Sequence, residues 1–305
     1  MAKRIDKYLS GWIDRRSPAL APRTVECYRS VLRLHIAPTI GSRSLSGLKP
    51  KHVSALLAAL VAAGHSRTAQ LCFVILRAAL ADAVRAGKIS VNPCDRVDPP
   101  RHRRAEPRWW SPSELHRFAD FAQNRPFGLA WQLALCCGLR RGELAGLRWS
   151  DVDQAAGLIH ICNQRQRVNG RLIDAPPKSA AGRRDLPIPP GLLPMLERQY
   201  VLQQAGGILT GCQPVYVVSP DGLPIAPEAL NRALAADVAA AGVRPINLHG
   251  LRHSMATLAI SLGVSMRVLQ DLLGHSSYAV TAGTYAHVLH SDASAAMDKI
   301  AAFVV

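Results

Sequence analysis

Four short stretches of this sequence concentrate side chains able to do chemistry, and each has a plain alternative. In "CGLRRGELAG", Arg140 stands three residues before Glu143, the spacing at which a carboxylate holds a guanidinium on one face of a helix. A guanidinium held that way presents a two-pronged donor to a phosphate; the alternative is an ordinary surface ion pair. In "PPKSAAGRRDLPIP", Lys178 lies in a connection between strands. There its ammonium either reaches over a site as a proton donor or stays solvated. "NLHGLRHSM" sets His249 and Arg252 one helical turn apart, with His253 a step round. His249 and His253 have the i, i+4 spacing of an H-E-x-x-H zinc helix, but the stretch lacks the carboxylate or third histidine such a site needs, so anion binding at a helix start suits it better. The last stretch, "LLGHSSYAVTAGTYAHVL", carries His275, Tyr278, Tyr285 and His287. A tyrosine there is either an exposed nucleophile or a core aromatic with a satisfied hydroxyl.

The elements that must position these groups are mostly helical. In "SRTAQLCFVILRAALADAVRAGK", Ser66 is placed to cap, and Cys72, Ile75, Leu76, Ala79, Leu80 and Ala83 share one face before Gly87 stops the helix. "KPKHVSALLAALVAAG" and "APRTVECYRSVLRLHI" read as two more helices, so residues 1–91 form a small basic helical domain. Residues 92–110, dense in proline and arginine, read as an extended linker. Its charge lies across phosphates or is simply solvated. Ser111, Pro112 and Glu114 then form a capping box that opens a second domain, 111–305. Helices run to about residue 148, "LIHICNQRQRVNGRLID" alternates around an Asn169-Gly170 hairpin turn, "RRDLPIP" supplies a third strand, and helices return after Pro227. The fold class expected is mainly α with one small antiparallel β-sheet. The stretch after the last tyrosine reads as a helix packed on its own domain or on a neighbouring copy.

Composition narrows the partners. Lys and Arg outnumber Asp and Glu by 37 to 21, a net charge of +16 spread along the chain. Nucleic acid is the first partner such a surface suggests, with an anionic membrane surface second. No apolar stretch approaches the roughly 18–20 residues that span a bilayer, and the first residues lack a signal-like apolar core. A cytoplasmic, DNA-associated protein is expected. The seven cysteines, scattered and without a C-x-x-C pair, suggest neither a zinc site nor a disulfide framework.

Taken in order, the stretches read G-L-R-x-x-E, a lysine among strands, H-x-x-R-H, L-G-H-S-S, then T-Y-x-H with its tyrosine ten residues after that histidine. This resembles the tyrosine recombinases, the phage-integrase family, over nearly the whole chain. More loosely, "RTVECYRSVLRLHIAPTIGSRSLSGL" and "AVRAGKISVNP" resemble that family's core-binding domain. The resemblance implies a two-domain architecture: a helical core-binding domain and an α+β DNA breaking-rejoining domain. It makes Arg140 and Arg252 the phosphate-clamping arginines, Glu143 the support of the first, and Lys178 the general acid. His249 and His275 become the site histidines and Tyr285, by its spacing preferred to Tyr278, the nucleophile. Arg101, Arg103 and Arg104 of the linker, with Arg183 and Arg184 of the short strand, are further candidates for DNA contact. The implied reaction passes through a 3′-phosphotyrosyl enzyme and needs no metal, ATP or other cofactor. The implied partners are double-stranded DNA recombination sites, three further copies of the chain, and directionality or host DNA-bending factors.

Overall fold

The apolar spacing Ile5, Tyr8, Leu9, Trp12 and Ile13 makes one stripe of helix α1 (Ile5–Arg16), and all five residues are buried. A computed structural model describes residues 3–102, 108–177, 179–207 and 214–274, and divides the chain into two compact units, Met1–Ala105 and Glu106–Val305. In the first unit, α2 (Pro22–Val31) runs through a π-helical turn, Leu32–Ile36, into the short α3 (Ala37–Ile40). Helices α4 (Pro50–Ala62) and α5 (Ser66–Arg85) complete it. The six residues expected on one face of α5 are all fully buried, and Gly87, with φ 64°, lies just beyond the helix end. Tyr8 Oη donates to the Ala79 carbonyl at 3.0 Å, and Trp12 Nε1 to Asp82 at 2.6 Å, tying α1 to α5.

Two local expectations are corrected here. Ser66 is the first helical residue and not the cap, a place taken by His65; its hydroxyl meets His102 Nδ1 at 2.9 Å instead. The first residues of the 92–110 stretch are also less extended than their composition implies. Asn92 accepts from the Cys94 amide and donates to the Arg77 carbonyl, both at 3.0 Å, opening a 3-10 turn that buries Cys94 in the first core. At its other end Trp110 is buried in the core of the second unit. Burial of these two side chains shortens the connection from both sides.

The second unit opens with α6 (Pro112–Ala122), where Ser111 and Glu114 make the expected capping box. Helix α7 (Gly128–Cys137) is apolar almost all round and is buried on nearly every side, the central rod of the core. After α8 (Arg141–Gly146) come two small sheets where one was expected. Strands β1 (Val152–Asp153), β2 (Leu158–Ile161) and β5 (Arg184–Pro187) form an antiparallel sheet with β2 central, pairing Ile159 with Leu186. Strands β3 (Gln164–Val168) and β4 (Arg171–Ala175) form a separate hairpin, turned by Asn169 and Gly170, both at positive φ. The separation arises at Cys162, whose amide turns back to the His160 carbonyl and ends β2 before β3 begins. Helix α9 (Leu193–Ala205), with Pro194 tolerated in its first turn, follows β5 and was not anticipated by the period of the sequence. Helices α10 (Pro227–Ala240), α11 (Leu248–Ser261) and α12 (Met266–Leu273) finish the described chain.

Candidate active site

Helix α7 ends at Gly138, whose φ of 62° is left-handed and where a Cβ would sit 2.8 Å from Leu273 Cδ2. That stop releases Arg140 as the N-cap of α8, with Glu143 at the third position. The two are joined as a capping box and not across a mid-helix face. The Arg140 amide donates to Glu143 Oε2 at 2.9 Å, and Arg140 Nη1 to Oε1 at 2.6 Å. Glu143 is only 3% exposed. Burial alone raises the pKa of such a carboxyl, but hydrogen bonds and charge from Arg184, then from Arg140, outweigh it and hold it at about 2.

Helix α12 supplies the other half of the site. Ser265 caps its start, and Gly274 ends it at φ 60°, where a Cβ would lie 2.6 Å from the Ala181 carbonyl oxygen. The last carbonyls of a helix have no partners within it and carry its negative end. Here three arginines take three successive ones: Arg184 Nε donates to Leu272 O at 2.7 Å, Arg252 Nη2 to Leu273 O, and Arg140 Nη2 to Gly274 O at 2.9 Å. Arg252 Nη1 also donates to Gly138 O at 2.6 Å, joining the ends of α7 and α12.

Arg252 projects from α11, whose cap is the Asn247 side chain accepting from the Gly250 amide. Arg252 is buried and His249, in the first turn, is exposed. The shared face expected for them is therefore split between core and surface. The rings of His249 and His253 meet edge to face, 4.4 Å between centroids. Ser254 fixes this turn to the start of the unit: its hydroxyl accepts from the Trp110 amide at 2.8 Å and donates to Gly250 O at 2.9 Å.

The structure thus brings Arg140, Glu143 and Arg252 together at one helix end, with His249 on the adjoining helix. Lys178, His275, Tyr278, Tyr285, Arg103, Arg104 and the C-terminal stretch lie outside the described residues. Arg101 and Arg183 are exposed. Arg184 is largely buried: its side chain is 7% exposed and its nitrogens are given to Glu143, Leu272 and Gly182. The alternation of "RRDLPIP" carries the signal that was missed, since it puts Arg184 on the same strand face as the buried Leu186 and Ile188. A second missed group anchors the hairpin. Asp174 accepts from Arg148, Arg165 and Tyr216 at 2.6–3.0 Å. Among the described residues, no three His, Cys, Asp or Glu side chains are grouped to hold a metal ion. Among the same residues, no helix is long and apolar enough to cross a membrane.

Two family models match the chain: the phage integrase family over residues 108–292, and the phage integrase central domain over residues 6–99. The chain belongs to the phage integrase family, the tyrosine-type site-specific DNA recombinases. An integrase of Saccharopolyspora erythraea is 24% identical over 356 aligned positions, covering 97% of this chain and 81% of the relative. Among solved structures, the Tn1549 transposon integrase in complex with a circular intermediate DNA superposes with a TM-score of 0.80 at 20% identity, covering 98% of this chain and 100% of that one. A lambda integrase tetramer bound to a Holliday junction superposes with a TM-score of 0.67 at 21% identity, covering 90% and 76%. These likenesses agree on the recombinase fold, mostly helical with small antiparallel sheets.

Proposed function

We propose that this chain cuts and rejoins double-stranded DNA at specific sites through a 3′-phosphotyrosyl intermediate, with four copies acting on paired sites during integration or excision of a mobile element. The observation that carries this reading is the convergence of Arg140 and Arg252 on the carbonyls of Gly274 and Leu273, directly ahead of His275 and close in sequence to Tyr285. Tyr285 Oη forms a bond to phosphorus as the bond from phosphorus to the 5′-oxygen breaks. The phenol proton passes to His249, and the departing 5′-oxygen takes a proton from Lys178. A phenol ionises near pH 10 in water, so the exposed imidazole of His249 has work to do as its base. The transition state gathers negative charge on the non-bridging oxygens, and guanidiniums gathered in advance at one helix end supply the countering positive charge. Because the phosphotyrosyl link conserves the energy of the broken bond, rejoining calls for neither ATP nor a metal ion. The tetramer is supported by the likeness to a lambda integrase that assembles so on a Holliday junction.

The role of Lys178 gives a direct test. Lys178→Ala should slow cleavage of an ordinary duplex by about 10²–10⁴-fold, and the rate should return on a substrate with a 5′-sulfur leaving atom, which needs no proton. Equal slowing on both substrates would remove Lys178 from the acid role.

A further inference from the structure

Arg184 stands in β5, on a strand face otherwise occupied by buried Leu186 and Ile188. Its Nη2 and Nη1 donate to Glu143 Oε2 and Oε1 at 2.9 and 3.2 Å, and its Nε donates to Leu272 O at 2.7 Å. The same carboxylate holds Arg140, and the next two carbonyls of the same helix end hold Arg252 and Arg140. Among the described residues outside the two clamping arginines, Arg184 is therefore a side chain bonded both to the carboxylate that supports Arg140 and to the helix end on which both of them rest. The charge count points the same way. Arg140 alone with Glu143 would be a neutral pair; Arg140 and Arg184 with Glu143 total two positive charges and one negative.

From these contacts, and resting on the proposed function of Arg140 and Arg252, we infer that Arg184 is a positioning residue of the phosphate clamp. It neutralises Glu143 so that the charge of Arg140 acts on the scissile phosphate, and it fixes the end of α12 that sets the spacing of the two arginines. It touches no DNA. Its contribution is read through Arg140, so it should matter only while the scissile linkage is charged.

The test measures single-turnover cleavage of a nicked duplex at saturating protein. One substrate carries an ordinary phosphodiester and another an uncharged methylphosphonate at the scissile position. Arg184→Met should cut the phosphodiester about 10- to 100-fold more slowly than wild type, with DNA affinity changed by less than about 3-fold. On the methylphosphonate it should come within about 3-fold of wild type, because no charge remains to be met. Adding Glu143→Gln to Arg184→Met should recover part of the lost rate, since it removes the carboxylate left facing Arg140 alone. A wild-type rate for Arg184→Met on the phosphodiester would overturn the inference. An equal deficit on both substrates would also overturn it, showing packing alone. Should Arg184→Met lack a cooperative thermal transition, Arg184→Lys decides. Lysine keeps a charge beside Glu143 but cannot span both carboxylate oxygens and the Leu272 carbonyl. It should show a smaller deficit confined to the phosphodiester, and wild-type rates on both substrates would overturn the inference. If wild type cleaves neither duplex, the recombinase reading itself falls, an outcome distinct from any of these.

Discussion

Glu143 is the residue on which the site's charge balance turns, and its ionisation gives that balance a pH window. Its carboxyl has an ordinary pKa of 4.5 and is held at about 2 in the fold, where burial opposes ionisation but Arg184 and Arg140 outweigh it. A carboxylate depressed in this way stabilises the fold fully above pH 4.5, and the contribution is lost as pH falls from there toward 2. Glu143→Gln leaves the buried Arg184 without its counter-charge, which should cost about 3–5 kcal/mol at neutral pH. The urea midpoints of wild type and variant should therefore be far apart at pH 7 and narrow progressively as pH falls from 4.5 toward 2. A gap unchanged across that range would contradict the ionic role of Glu143. The spacing of Arg140 and Glu143 in the sequence was enough to pair them, because a glutamate three residues past an N-cap reaches back to it. That Arg184 shares the carboxylate was not legible from spacing, since the contact joins a strand to a helix start 41 residues away.

At the scale of elements, the hairpin β3–β4 matters because β4 ends three residues before Lys178. It is anchored at its base by Asp174, which accepts from Arg165, Arg148 and Tyr216. Burial raises the Asp174 pKa, but these hydrogen bonds and the Arg165 charge prevail and lower it. The cluster is already short of acceptors: among the described residues, Arg148 Nε and Arg165 Nη1 are buried without a hydrogen-bond partner. Asp174→Asn should consequently destabilise the second unit by about 3–5 kcal/mol, seen as a lower denaturant midpoint. Within about 0.5 kcal/mol of wild type, the network would have no anchoring role. The hairpin turn was legible because Asn-Gly adopts positive φ at both central positions at little cost. The break between β2 and β3 was not, because no glycine, proline or other turn residue pair marks it in "LIHICNQRQRV", and the chain is divided by the backbone turn at Cys162.

For the whole molecule, a net charge of +16 on two separately cored units suits a protein that grips a polyanion along its length. The helical character and the order of the chemical stretches were readable from the chain, since apolar periodicity and motif order are properties of sequence. The convergence of Arg140 and Arg252 was not. It depends on two left-handed glycines, Gly138 and Gly274, ending α7 and α12 against each other. The central claim is that this constellation serves nucleophilic attack by Tyr285 on DNA, and covalent trapping tests it most directly. The full chain is incubated with a nicked duplex whose short 5′-hydroxyl fragment diffuses away after cleavage, and the products are resolved under denaturing conditions. Wild type should give a denaturant-stable protein–DNA adduct whose DNA-linked peptide contains Tyr285, and Tyr285→Phe should give none. An adduct of equal yield with Tyr285→Phe would contradict the account.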